Sequence, residues 1–121
     1  MKRIAVIEDN PDNRLLVEAI LDELYELDEY EDGMLGLAGL RLERPDLILL
    51  DISLPGMDGV AVLAEIRGDE ALKGLPVVAL TAHAMAGDEE SFLEKGFDGY
   101  VSKPIVDEDV LIATIEELLN R

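Results

Sequence analysis

Apolar residues fall in short blocks along the chain: Ile4 to Ile7, Leu47 to Leu50, Val77 to Leu80 and the briefer Tyr100-Val101. The middle two are continuous rather than alternating, the pattern of strands covered on both faces, as in a parallel sheet with helices above and below. Helical stretches lie between the blocks. Asn10-Pro11 reads as an N-cap followed by proline at the first helical position, and Leu16, Ile20 and Leu24 then recur at fourfold spacing on one face. Gly33 marks the start of a second helix through Leu42, Asp58 caps a third running to about Ile66, and Gly96 suits the C-terminal stop of a fourth. A last helix runs from about Asp107, with Leu111, Ile115 and Leu118 as its inward stripe.

Five strand-helix repeats joined by right-handed crossovers predict an α/β fold, an open doubly wound parallel sheet with five helices. The second strand is the weak member. Its place, Leu27 to Glu31, reads Leu-Asp-Glu-Tyr-Glu, poor in the β-branched residues strands favour, and an edge position would tolerate it. No repeat, low-complexity segment or linker interrupts the chain, so residues 1–121 are expected to form one domain. Met1 and a helix ending at Asn120-Arg121 favour a complete protein over a fragment.

Composition narrows the function classes. With 49% apolar residues and no cysteine, the chain can fold without disulfides, and thiol redox chemistry is excluded. The start Met1-Lys2-Arg3 is no signal peptide, because Glu8 and Asp9 cut off the apolar run after it. The longest uncharged stretch, Leu75 to Gly87, is too short to span a bilayer, and a soluble cytoplasmic protein is expected. A net charge of −18 argues against direct binding to nucleic acid or an anionic membrane, since both need Lys and Arg to displace counterions. The partners are then proteins. Most of the acids, the run Asp22 to Asp32 included, belong on solvated helix faces.

In a sheet of this kind ligands bind at the carboxyl ends of the strands. Glu8 and Asp9 end the first strand, Asp51 the third and Thr81 the fourth, while Lys103 follows the fifth. Clustered carboxylates repel one another and raise each other's pKa, so the group invites a cation. Mg2+ is the natural guest, being hard and oxygen-seeking. A phosphoryl group in transfer spreads negative charge over its oxygens, and Mg2+, the Lys103 ammonium and the Thr81 hydroxyl would match them. Asp51, on the central strand, is the best candidate for the carboxylate that forms an acyl phosphate. Plainer alternatives stand beside each assignment: solvated loop acids, a turn hydroxyl at Thr81 and a surface charge at Lys103.

The same residues lie in five stretches: Val6-Ile7-Glu8-Asp9-Asn10, Pro45 to Asp51, Leu54-Pro55-Gly56-Met57-Asp58-Gly59, Pro76 to Ala82 and Tyr100-Val101-Ser102-Lys103-Pro104. In that order they resemble the receiver domains of two-component response regulators over essentially the whole chain. The resemblance implies a flavodoxin-like strand order 2-1-3-4-5. It implies Asp51 as phosphoacceptor, Glu8, Asp9, Asp51 and the Ser53 backbone carbonyl at Mg2+, and Lys103 on the phosphoryl group. Thr81 and Tyr100 are implied as a switch pair, a half-buried strand aromatic being the alternative for Tyr100. The Lys103-Pro104 bond is expected to be cis. Ser53 and His83 match positions that tune the lifetime of the acyl phosphate; His83, the one histidine, is otherwise an ordinary loop residue.

A histidine kinase or histidine phosphotransfer protein would dock over Pro11, Arg14, Val17 and Leu21, with Pro104 and Ile105 beside them, although core packing explains Val17 and Leu21 equally well. A downstream protein target would read Met85, Phe92 and Tyr100. A weak homodimer stays open. The expected function is a phosphoacceptor of a two-component or phosphorelay system, not an enzyme beyond self-phosphorylation from a donor and slow autodephosphorylation. Rival readings are a receiver fragment of a hybrid histidine kinase or longer regulator, a phosphorylation-independent binding module, and a phosphohydrolase. Intact Asp9, Asp51, Thr81 and Lys103 weigh against the second. Ser53, where the third would want a further Asp, weighs against that one.

Overall fold

The computed structural model describes residues 1–82, 88–105 and 107–121, with only the backbone of 88 and 89. Strands and helices alternate in chain order: β1 (Arg3–Ile7), α1 (Pro11–Leu21), β2 (Glu26–Tyr30), α2 (Gly33–Leu42), β3 (Leu47–Asp51), α3 (Gly59–Gly68), β4 (Val77–Thr81), α4 (Asp88–Lys95), β5 (Gly99–Ser102) and α5 (Glu108–Leu119). The strands form one parallel sheet in the order β2-β1-β3-β4-β5. Every residue of β3 and β4 is buried, as their unbroken apolar runs require of central strands.

Because successive strand side chains point to opposite faces, each strand feeds two cores. On one face Ala5, Ile7, Ile48, Leu50 and Val77 meet α2 and α3; on the other Ile4, Val6, Leu49 and Val78 meet α1 and α5. Each fully buried Leu or Ile contributes roughly 1.5–3 kcal/mol. Among the described residues, four helix starts carry a side-chain cap. Asn10 accepts from the Asp12 and Asn13 amides, Asp32 from Leu35, Asp58 from Ala61 and Asp107 from Asp109, satisfying donors that a helix start leaves open. Asn10 and Asp32 lie close behind the carboxyl ends of β1 and β2, so these two caps also fix the short loops that leave that edge of the sheet.

Two sequence expectations shift. The stripe Leu16-Ile20-Leu24 is not the buried face of α1: Val17 and Leu21 are buried, whereas Leu24 lies beyond the helix and is 46% exposed. Turn bonds from the Leu24 and Tyr25 amides to the Leu21 carbonyl end the helix before Leu24 can join it. Strand two starts one residue earlier than read, at Glu26, and lies at the sheet edge. Ion pairing does there what β-branched packing does elsewhere: the Arg3 guanidinium lies 2.8 Å from Glu26 and 2.9 Å from Asp28 on the neighbouring strand.

Gly59 matters for the site. A Cβ there would come 2.3 Å from the Asp51 carbonyl oxygen, so only glycine lets α3 start against the end of β3 without displacing Asp51. Gly96, at φ 109°, closes α4 in the left-handed region that suits glycine.

Candidate functional site

Four adjacent strands, β1, β3, β4 and β5, deliver the polar residues to one end of the sheet. Glu8 follows β1, Asp51 ends β3, Thr81 ends β4, and Lys103 follows β5. The Lys103 Nζ donates to Asp51 Oδ1 at 2.9 Å and to Glu8 Oε1 at 3.1 Å. Both carboxylates are inside the fold, Glu8 at 0% and Asp51 at 1% exposure. Asp9 faces solvent beside them, and one oxygen from each of Glu8, Asp9 and Asp51 lies within 4.8 Å of the others. Thr81 is buried at the same edge, its carbonyl accepting from the Lys103 amide at 2.7 Å. The Lys103-Pro104 bond is cis, as expected.

Burial sets the electrostatics. It pushes the Glu8 carboxyl up, nearby Asp51 pushes it further, and hydrogen bonds from Lys103 and Asn13 hold it back to about 7. Burial acts on Asp51 in the same sense, but the neighbouring Glu8 carboxyl and the hydrogen bonds from Lys103 and the Ser53 amide outweigh it and keep Asp51 below the usual carboxylate range. Burial alone would lower Lys103; its two carboxylate partners instead raise it and keep it charged.

Glu8 Oε2 and Asp51 Oδ2 are buried with no hydrogen-bond partner among the described residues. Such oxygens are costly unless a proton or a cation meets them. Three carboxylates against one ammonium leave a deficit that a divalent ion matches, and the donors are all hard oxygens. The residues therefore fit Mg2+.

Two supporting contacts were not read from the sequence. Asn13 Nδ2 donates to Glu8 Oε1 at 2.7 Å, and Arg14 Nη1 donates to the carbonyls of Glu8 and Asp9 at 2.7 and 3.1 Å. Both sit in the first turn of α1, where long side chains lean back toward the helix start and so toward the end of β1. Their distance from the Asn10 cap was the available signal.

The remaining expected positions divide. Ser53 is exposed and its amide donates to Asp51 Oδ1 at 3.0 Å. Pro11 and Pro104 are exposed, and Arg14 and Ile105 half-buried. Val17 and Leu21 are not surface residues: at 1% and 0% exposure they pack on the sheet, because they form the inward pair of α1. Phe92, expected on the outside, is also buried, its ring edge-on to Phe97 at 5.9 Å. Tyr100 is half-buried with its ring 6.2 Å from that of Phe92. His83 and Met85 lie outside the described residues.

Residues 4–116 match the family model of the response regulator receiver domain. The chain is 42% identical over 107 residues to the sensor protein GacS of Pseudomonas syringae pv. syringae, a match covering 85% of this chain and 12% of that protein. It is 40% identical over 105 residues to the polar-differentiation response regulator DivK of Brucella anthropi, covering 86% of this chain and 85% of the relative. Among solved structures, the receiver domain of a sensor histidine kinase from Pseudomonas aeruginosa, which holds a magnesium ion in its active-site cleft, superposes with a TM-score of 0.89 at 34% identity, covering 99% of this chain and 98% of that one. The flavodoxin-like sheet, the acidic group at its strand ends and these matches agree: the chain belongs to the response regulator receiver domain family of two-component signalling.

Proposed function

We propose that residues 1–121 form one receiver domain in which Asp51 accepts a phosphoryl group from a phosphohistidine on a histidine kinase or phosphotransfer protein, with Mg2+ required. The observation that carries this is the Lys103 ammonium bonded to both buried carboxylates while an oxygen of each is left without a partner. In the step, an Asp51 oxygen forms the bond to phosphorus as the phosphorus–nitrogen bond breaks, and the imidazole leaves with that electron pair and takes a proton. The Lys103 and Ser53 donors fix the Asp51 carboxylate so that it meets phosphorus without reorganising.

Glu8, Asp9, Asp51 and the Ser53 carbonyl would hold Mg2+. When bound, the ion neutralises charge that develops on the transferring group. Lys103 faces a second phosphoryl oxygen and the Thr81 hydroxyl a third. Tyr100, half-buried against Phe92, would turn inward on phosphorylation and so relay the change to a protein target. Ser53 and His83 tune the lifetime of the acyl phosphate. The donor docks over Pro11, Arg14, Pro104 and Ile105; the last two border an apolar cavity of about 160 Å3 with Val101 and Val110. We place the chain in the cytoplasm and read it as no enzyme beyond handling its own phosphoryl group; no described helix is long and apolar enough to cross a membrane. The match to a small part of GacS favours one second reading, the same chemistry in a receiver attached to a sensor kinase.

The test is intact mass after incubation with Mg2+ and a small-molecule phosphodonor. One added phosphoryl group, absent when the metal is chelated, is expected; an unchanged parent mass would sink the proposal.

Two further results are expected here. Asn13→Ala should weaken Mg2+ binding about tenfold in calorimetry, because the side chain that orients Glu8 is gone; unaltered affinity would show that Lys103 alone positions Glu8. Mg2+ binding should also tighten by about tenfold from pH 6 to pH 8, since Glu8 must release a proton held to about 7. An affinity flat across that range would contradict the burial argument.

A further inference from the structure

Helix α2 reads Gly-Met-Leu-Gly-Leu-Ala-Gly-Leu-Arg-Leu, with Arg41 its one charged side chain. Its inner face, Gly33, Gly36, Leu37 and Leu40, is buried against the sheet and α3. A surface helix ordinarily turns polar residues outward, and a helix apolar all round is ordinarily buried. This one does neither. Met34, Leu35 and Leu42 are 75%, 50% and 90% exposed, and Ala38 is exposed with them. At about 100° per residue these positions share one arc of the helix surface, so they form a continuous stripe rather than scattered contacts with water.

A groove flanks the stripe on each side. One, of about 480 Å3, is lined by Leu35 and Leu42 together with Arg14, Glu29, Tyr30 and Glu31. The other, of about 330 Å3, runs between Met34 and the loop Pro55-Gly56-Met57, with Asp32 at its edge. The arginines nearby are already engaged: Arg14 with the Glu8 and Asp9 carbonyls, Arg41 with Asp69 at 3.2 Å, and Arg44 with the Ala71 carbonyl at 2.9 Å. Glu29 and Glu31 make no ion pair among the described residues. The surface is thus an apolar ridge with acidic margins. A second copy would bring the same carboxylates to the same face, on a chain of net charge −18, and the repulsion disfavours self-pairing.

We propose that the outer face of α2 and its two grooves seat a basic amphipathic helix of a partner protein. Its apolar side chains, spaced three and four residues apart, cover Met34, Leu35, Ala38 and Leu42, and its Lys or Arg residues meet Glu29, Glu31 and Asp32. This face meets the α1 surface assigned above to the phosphodonor only at Arg14, which borders the larger groove, and it does not depend on Asp51 being phosphorylated.

The probe is a synthetic peptide with leucine along one helical face and lysine along the other, titrated into the 15N-labelled protein. Amide shifts are expected to centre on residues 29–42. A scrambled peptide of equal composition should bind at least about tenfold more weakly, which separates a seated helix from loose attraction to an acidic protein. The double substitution Leu35→Asp, Leu42→Asp should cost about tenfold or more in affinity; if that chain does not fold, Leu42→Asp alone, at the most exposed position, serves. Equal binding of the two peptides, or shifts spread over other acidic faces, would overturn the proposal. So would sedimentation showing a dimer that Leu42→Asp dissolves, which would give the ridge to a second copy.

Discussion

An Asp51→Asn chain is expected to take up no phosphoryl group and yet, without metal, to melt above the parent. The first half follows from the chemistry, since an amide oxygen is no nucleophile toward phosphorus at neutral pH. The second follows from the packing. Asp51 and Glu8 are fully buried, each with one oxygen lacking a partner among the described residues. Asn keeps an acceptor for Lys103 and the Ser53 amide, removes one of two crowded negative charges, and brings an NH2 that can donate to Glu8. The gain should be about 1 kcal/mol, seen as a rise of several degrees in Tm in chelator. Intact mass and thermal unfolding read both halves. A phosphorylated variant would move the acceptor elsewhere, and a clear loss of stability would mean that the parent's carboxyl pair is not strained.

Removing the cation should do the reverse. Lys103 is 14% exposed and is the one ammonium on two buried carboxylates among the described residues, so Lys103→Met, which keeps the aliphatic stem, leaves them uncompensated. Breaking a buried pair costs about 3–5 kcal/mol, reduced here because Glu8 can take up a proton instead. That escape gives the effect a pH dependence of definite sign. Glu8 already holds its proton more tightly folded, to about 7, than its ordinary 4.5, so the parent loses stability as pH rises between those values. Without the Lys103 bond, which lowers Glu8, the folded value rises further and the decline continues above neutrality. The variant should therefore be most destabilised at about pH 8 in chelator and recover part of the loss with Mg2+, which replaces the missing positive charge. Phosphoryl acceptance at saturating Mg2+ should fall about a hundredfold or more, since a donor aimed at the transferring oxygens is lost. A stability deficit that does not vary with pH would show that Lys103 acts by packing rather than by charge.

These two expectations use residues legible from the chain alone, because each stands at the end of an apolar run and carries its own chemistry. Glu8, Asp51, Thr81 and Lys103 could be placed at one sheet edge from the chain alone, and Asn10 and Asp58 could be read as helix caps. The apolar runs of β3 and β4 have few alternatives to central parallel strands. Less was legible where a residue's role depends on rotation about a helix axis. Val17 and Leu21 suited a docking surface or the core equally by type, and only the setting of α1 on the sheet turned them inward. Phe92 went the same way.

The order of apolar and polar residues determined the fold class, the strand ends and the types of group gathered there, because strand periodicity and capping are local properties written in adjacent residues. The tertiary structure alone decided that Asn13 grips Glu8, that Arg14 clamps the loop after β1, that Arg3 secures the acidic edge strand, and that the outer face of α2 stays apolar and uncovered. Those facts depend on distances between segments that the chain brings together only when the whole sheet is assembled.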